Sequence, residues 1–281
     1  MRFRQKRESA GGIVWRIALF IWALTVVVPL VWIVLVSLKT NREFYQSAWA
    51  PPEKLMFSNY TYAWTSLGLD KAFLNTVIYV GCSMVLILTL TLMVSYSLTR
   101  VRFKGRKVIS GIIMLSLFLP GINALVPTYI LMKNLHLLNS IGGLTMLSSV
   151  GINAFYVMVL SSFLSSIPYE MEESAYLDGA GYFRTMVQII APMATPGLVT
   201  VGVFAFLNLY NNFLWPFIML ADPQKYTVAV KMYEVNKLMQ YDSNWVTLCA
   251  CVVLGMLPSV LFYTLLQKQV QSGVTVGALK G

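Results

Sequence analysis

The run P-Y-E-M-E-E-S-A-Y-L-D-G-A-G-Y-F-R-T-M-V-Q-I-I-A-P at residues 168–192 is the one long polar stretch that interrupts the apolar second half of the chain on the side that the basic residues mark as cytoplasmic. Pro168 sets a helix start, because its missing N–H is an orphan there in any case. Glu170, Glu172 and Glu173 fall in the first turns, where negative charge suits the helix dipole. Gly179 follows Asp178, where a residue in the left-handed conformation stops a helix. A second short helix is predicted from Tyr182 to Ile190, ended by Pro192. The stretch reads as helix, glycine turn, helix. Ser174 and Ala175 are small enough to let a partner surface approach closely, so the hairpin reads as a docking element.

Outward from this hairpin the chain is apolar. Of 281 residues, 57% are apolar and 11% charged, against roughly 25% charged in a soluble domain. One polytopic membrane domain is expected. A span needs roughly 20 apolar residues, and the apolar runs place six, at about 17–38, 72–98, 108–132, 141–164, 194–220 and 245–266. A tail, 267–281, follows. The first run is too long for a signal-peptide core and has no small-residue cleavage site, so it is expected to be retained. Pro29 lies within it, and Pro120-Gly121 and Pro127 interrupt the third. The hairpin falls between spans four and five. The fold expected is an all-α membrane protein of six transmembrane helices.

Six spans put both termini on one side, and the basic residues choose which. Arg2, Arg4, Lys6, Arg7 and Arg16 crowd the amino-terminal segment, and Arg100, Arg102, Lys104, Arg106 and Lys107 crowd one short loop. Arg184, Lys268 and Lys280 fall on the same side. Lys39, Arg42, Lys54, Lys71, Lys133, Lys225, Lys231 and Lys237 are diluted over longer loops opposite. This bias places both termini and the hairpin in the cytoplasm. It also accounts for the net charge of +10 by topology rather than by nucleic acid.

The spans say which chemistry is absent. None holds a central Asp, Glu, Lys, Arg or His, which argues against a proton-driven transporter. No G-x-x-x-x-G-K-[ST] loop is present to cradle a nucleotide's phosphates, so nucleotide energy, if spent, must come from another subunit. Cys82, Cys249 and Cys251 lie in apolar runs with neither disulfide framework nor zinc spacing, and His136 has no ligand set. Asn208, Asn211 and Asn212, at i, i+3 and i+4, share one face of the fifth helix, with Tyr210, Phe213 and Trp215 nearby. Amides beside aromatic rings suit a neutral sugar, since amides bond hydroxyls and rings cover C–H faces. Interhelical hydrogen bonding is the other reading of the same residues. Asn75, Asn123 and Asn153 are isolated and read as packing residues.

Glu173-Ser174-Ala175, three residues, Gly179, nine residues, Ile189, then Ala191-Pro192 resembles the E-A-A-x3-G-x9-I-x-L-P signature of ABC importer permeases. Ser174 replaces an alanine and Ala191 the leucine. Asn211-Asn212-Phe213-Leu214-Trp215-Pro216 looks like the fifth-span signature of the carbohydrate-uptake branch. The ending Gly273-Val274-Thr275-Val276-Gly277-Ala278-Leu279-Lys280-Gly281 is similar to the G-x-T-x-G-A-x-K-G tail of that branch's shorter six-span permease, the type found in maltose importers.

The resemblance implies a permease subunit of an ATP-driven importer in a bacterial-type inner membrane, carrying no catalytic residue. It implies a second homologous permease, two ATPase subunits holding ATP and magnesium, and an extracytoplasmic sugar-binding protein contacting residues 221–244. No cofactor on this chain is implied. Glu172, Glu173, Ser174, Ala175, Asp178, Gly179, Ile189 and Pro192 would meet the ATPase. Gly273, Thr275, Gly277 and Lys280 would enter the ATPase interface. Asn208, Tyr210, Asn211, Asn212 and Phe213 are the expected translocation-path residues. The competing function is a secondary carrier working without an ATPase.

Overall fold

A long apolar run satisfies its own backbone as a helix when water is excluded, and helices carry most of the described residues. The computed structural model describes residues 10–119 and 124–278, and no strand occurs among them. Pro120, Gly121, Asn123 and Lys280, like Arg2, Arg4, Lys6 and Arg7, lie outside the described residues.

The chain divides into two compact units, residues 1–69 with 232–256, and residues 70–231 with 257–281. In the first, α1 (Ala10–Ser37) runs unbroken through Pro29. Over residues 14–31 its side chains are exposed all round, Trp15 at 72% and Trp22 at 68%, as in a helix whose solvent is lipid, and its carboxyl end, at Val36 and Ser37, is buried. Then come α2 (Asn41–Gln46) and α3 (Ser58–Thr61), the latter widening into a π turn over Tyr62–Ser66. Thr40 and Glu43 close a capping box on α2. Lys39 is buried, its Nζ donating to the carbonyls of Ser47 at 2.9 Å and Ala48 at 3.3 Å. The α2 segment is tied to residues 243–244 by Tyr45 Oη to the Ser243 carbonyl and Asn41 Nδ2 to Asn244 Oδ1, each 2.9 Å.

The second unit holds most of α4 (Leu69–Arg100), then α5 (Arg106–Leu115), α6 (Leu125–Asn134), α7 (Ile141–Val150), α8 (Ala154–Ser166) and α9 (Glu170–Leu177). After these come α10 (Tyr182–Thr185), a π turn at Met186–Ile190, α11 (Ala191–Met193), α12 (Thr195–Tyr210) and α13 (Leu214–Met219). The chain closes with α14 (Val228–Tyr241) and α15 (Trp245–Ala278).

Among the described residues, three stretches are single helices long and apolar enough to cross a membrane: Val14–Ser37, Leu69–Arg100 and Trp245–Gln267. Two more are helix pairs broken by a bend, 55° between α7 and α8, and 80° between Tyr182–Met193 and Thr195–Tyr210. The run expected as a third span is divided into α5, a 3-10 turn at Ser116–Phe118, and α6. Pro127 does not break that run. It sits in the first turn of α6, where a missing N–H costs nothing. The run expected as the fifth span breaks between α12 and α13. The helix of the sixth continues to Ala278, so Gly273, Thr275 and Gly277 are helical.

The core of the second unit lies where α8 meets α12. Leu160, Leu164, Val201 and Ala205 are fully buried there. Gly197 permits the approach: a Cβ built on it would stand 2.7 Å from Phe163 Cγ.

Candidate functional site

The polar stretch folds as the sequence predicts up to its turn. The acidic first turn of α9 contains Glu170, Glu172 and Glu173. Gly179 takes φ +79°, a conformation costly for any residue with a Cβ. Around it the Gly179 N–H donates to the Tyr176 carbonyl at 3.1 Å, and the Ala180 N–H to the Ala175 carbonyl at 2.9 Å. Those two bonds are the Schellman pair that satisfies the last carbonyls of α9. Tyr176 and Tyr182 meet edge to face across the turn, centroids 5.4 Å apart.

The second arm differs from expectation. Pro192 does not end a helix; the helical run continues to Met193. The cause is the π turn at Met186–Ile190, where the Ala191 N–H reaches back to the Met186 carbonyl. The ladder slips one residue just before the proline, which has no N–H to give. The run stops at Ala194, and α12 leaves at 80°.

Burial sorts the hairpin residues into two groups. Glu173, Ser174, Asp178, Gly179 and Pro192 are exposed, and Ile189 is half-buried. Glu172 and Ala175 are buried against the rest of the chain. The small side chain of Ala175 is therefore covered, whereas Ser174 is exposed, its Oγ donating back to the Glu170 carbonyl at 2.9 Å. Glu172 turns inward onto Arg100, 3.3 Å from Nε to Oε1. Arg100, which the sequence groups with a basic loop, is the last residue of α4 and is buried, while Arg102, Lys104 and Lys107 are exposed. Burial pushes the Glu172 carboxyl above its ordinary value, against the opposing pull of Arg100 and of hydrogen bonds from Tyr96 and Tyr176.

At its far end α12 reaches a cavity of about 330 Å³, at the small end of the roughly 300–1,000 Å³ range of small-molecule sites. Asn208, Asn212, Asn153, Thr91, Thr128, Ser148, Tyr156 and Trp215 are among its lining, and no lining residue is charged. Two helix breaks open onto it, at 151–153 between α7 and α8 and at 211–213 between α12 and α13. Asn153 caps α8, its Oδ1 accepting from the N–H groups of Phe155 at 3.0 Å and Tyr156 at 3.3 Å. Asn212 Oδ1 accepts from the Trp215 N–H at 3.3 Å. With the oxygens used in this way, the amide NH₂ groups are the donors left for a ligand.

Of the five residues expected on the path, the cavity gathers two, Asn208 and Asn212. Asn211 lies outside it, its Nδ2 bonded back to the Leu207 carbonyl at 2.8 Å. The helix ends at Tyr210, so the three asparagines do not share a face. Tyr210 lines a separate apolar cavity with Phe206 and Phe262, and Phe213 stacks on Phe217 at 5.0 Å. The sequence reading missed Asn153 as a lining residue. Its signal was Gly151 followed by a cap residue and a new apolar run.

Residues 87–276 match the family model described as the binding-protein-dependent transport system inner membrane component. The chain belongs to this family. It is therefore a multi-pass transport component of the inner membrane, and the matched residues include the whole hairpin and the cavity lining. Over 262 residues it is 33% identical to the diacetylchitobiose uptake system permease protein NgcG of Streptomyces coelicolor, covering 93% of this chain and 87% of that one. It is 29% identical over 257 residues to the sulfoquinovosyl glycerol transport system permease protein SmoH of Agrobacterium fabrum, covering 90% and 88%. In fold it is similar to a chain of a bacterial ABC transporter involved in import of the acidic polysaccharide alginate, with a TM-score of 0.82 at 23% identity, covering 94% of this permease and 99% of that chain.

Proposed function

We propose that this chain is a permease subunit of an ATP-driven sugar importer, paired in the membrane with a second homologous permease. Two separate ATPase subunits supply the energy, with ATP and magnesium bound there. An extracytoplasmic binding protein delivers the sugar, and this chain holds no cofactor. The spans number six, the termini and hairpin are cytoplasmic, and residues 168–192 are the coupling element.

One observation carries the reading. A single helix, α12, begins at the hairpin and ends at the cavity, so at 1.5 Å per residue its 16 residues span roughly 24 Å. Any rotation of the hairpin is delivered along α12 to Asn208 and the break at 211–213. Irregular backbone at membrane depth is tolerated where it lines a cavity, and transporters place substrate sites at such broken helices. The uncharged amide and aromatic lining suits a neutral di- or oligosaccharide better than an acidic one. Glu173 pairs with a basic residue on the ATPase, and the tail through Lys280 enters the ATPase interface.

The test is reconstitution in proteoliposomes with the partner permease, ATPase subunits and binding protein. Sugar uptake should require internal ATP and every component. Uptake by this chain alone, without ATP, would establish a secondary carrier instead.

A further inference from the structure

The end of α4 holds a charge that this importer reading does not use. The side chains of Arg100 and Glu172 are 1% and 5% exposed. Besides facing Glu172, Arg100 donates through Nη2 to the carbonyls of Leu164 and Ile167, the latter at 2.6 Å. Its guanidinium carbon lies 4.3 Å from the centre of the Tyr169 ring. The Tyr169 hydroxyl in turn donates to the Thr99 carbonyl at 3.2 Å. One side chain thus joins the last turn of α4, the carboxyl end of α8, the residue before α9 and the first turn of α9.

Each contact has a physical cause. Carbonyls at a helix end lack partners within the helix, and the helix dipole favours a cation there. The planar guanidinium carries five donors in a rigid fork, so it serves carbonyls and a carboxylate at once, whereas a lysine is a single point charge. The approach of Nε to Glu172 is off the hydrogen-bond axis, so charge rather than a directed bond holds that contact. A pair buried this deeply is a poor source of stability, because well-packed apolar side chains of similar size often hold a contact as well or better. What the arrangement supplies is a fixed orientation of α9 against α4 and α8.

We propose that Arg100 is a positioning residue for energy coupling: it makes the hairpin and the ends of α4 and α8 move as one body, so that a push on the hairpin reaches both helices directly as well as α12 through the chain. The inference rests on the importer reading above.

The experiment uses the complete reconstituted complex with Arg100→Lys and Glu172→Gln. Two quantities are read: sugar imported per ATP hydrolysed, and the distance between spin labels at the exposed Leu177 and Met93 with and without ATP. In the wild type the distance should hold constant through the nucleotide cycle. Both variants should keep hydrolysing ATP, import roughly two- to thirty-fold less sugar per ATP, and show a broadened label distance. Wild-type stoichiometry in Glu172→Gln overturns the proposal. So does a wild-type label distance that changes with ATP, or a loss of hydrolysis and uptake in parallel at an unchanged ratio. If Arg100→Lys does not assemble, Glu172→Gln decides alone, since Arg100 keeps its two carbonyls in that variant. A wild-type complex without ATP-driven uptake overturns the importer reading and takes this proposal with it.

Discussion

The Ala180 amide donates to the carbonyl of Ala175 at 2.9 Å across a turn centred on Gly179. That bond closes only if residue 179 holds its φ of +79°. A Cβ there would touch nothing within 4 Å, so a substitution meets backbone strain and no clash. Gly179→Ala should cost about 1–2 kcal/mol of stability, read as a lower unfolding midpoint in detergent. Gly179→Asn should cost less, because asparagine tolerates the left-handed region. Gly179→Asp should insert in the membrane at normal levels yet lose uptake, since its side chain projects from the exposed turn where the ATPase is proposed to dock. Normal uptake by that variant would count against docking at this turn.

A second glycine acts through space rather than conformation. At Gly197 a Cβ would stand 2.7 Å from Phe163 Cγ and 2.9 Å from Phe163 Cβ. Neither is the movable end of a side chain, so α8 and α12 would have to separate. Gly197→Ala should destabilise by about 1–3 kcal/mol, the usual cost of overpacking. Adding Phe163→Ala, which removes Cγ and the ring, should return part of that loss. A double variant no better than Gly197→Ala alone would show that the helices do not meet at this contact.

These two glycines mark what the sequence made legible. The turn at Gly179 is a local requirement of three or four residues, so spacing alone predicts it. Gly197 depends on a ring on another helix, and nothing near it in the chain announces that. Arg100 is the same case more sharply: its burial comes from the end of α8 and from α9, while its sequence neighbours Arg102 and Lys104 look alike and stay exposed. Hydropathy located the apolar runs but not their breaks. Averaged over a span, Gly151-Ile152-Asn153 is still apolar enough to pass as helix, although Asn153 caps a new helix there. Pro192 misled in the opposite direction, because the π turn before it removed the conflict a proline creates.

Glu172 should leave a pH signature. Arg100 and Tyr96 face it from α4, and Tyr176 from its own helix; together they favour the carboxylate, but burial outweighs them and raises the pKa from the ordinary 4.5. A raised carboxyl pKa means the folded chain holds the proton more tightly than the unfolded one. This contribution is complete below pH 4.5 and is lost as pH rises through the raised value. Glu172→Gln cannot titrate. The stability of wild type minus that of Glu172→Gln should therefore fall with rising pH, measured as unfolding midpoints in detergent from mildly acid to neutral buffer. A difference that rises would mean that Arg100 outweighs burial.

Asn208 and Asn211 lie less than one turn apart, yet only Asn208 lines the cavity. The amide of Asn211 is spent on the carbonyl of Leu207 at 2.8 Å, on the exposed side of the helix end. If sugar passes through the cavity, removing the Asn208 amide deletes a hydrogen bond worth about 1 kcal/mol, so Asn208→Ala should slow ATP-driven uptake roughly five-fold. Asn211→Ala should leave uptake close to normal. Asn212→Ala is the less clean variant, because its side chain also holds the Trp215 amide, so its loss combines a ligand contact with a helix start. Equal defects in Asn208→Ala and Asn211→Ala would mean that the helix end matters only for packing, and the path would have to lie elsewhere.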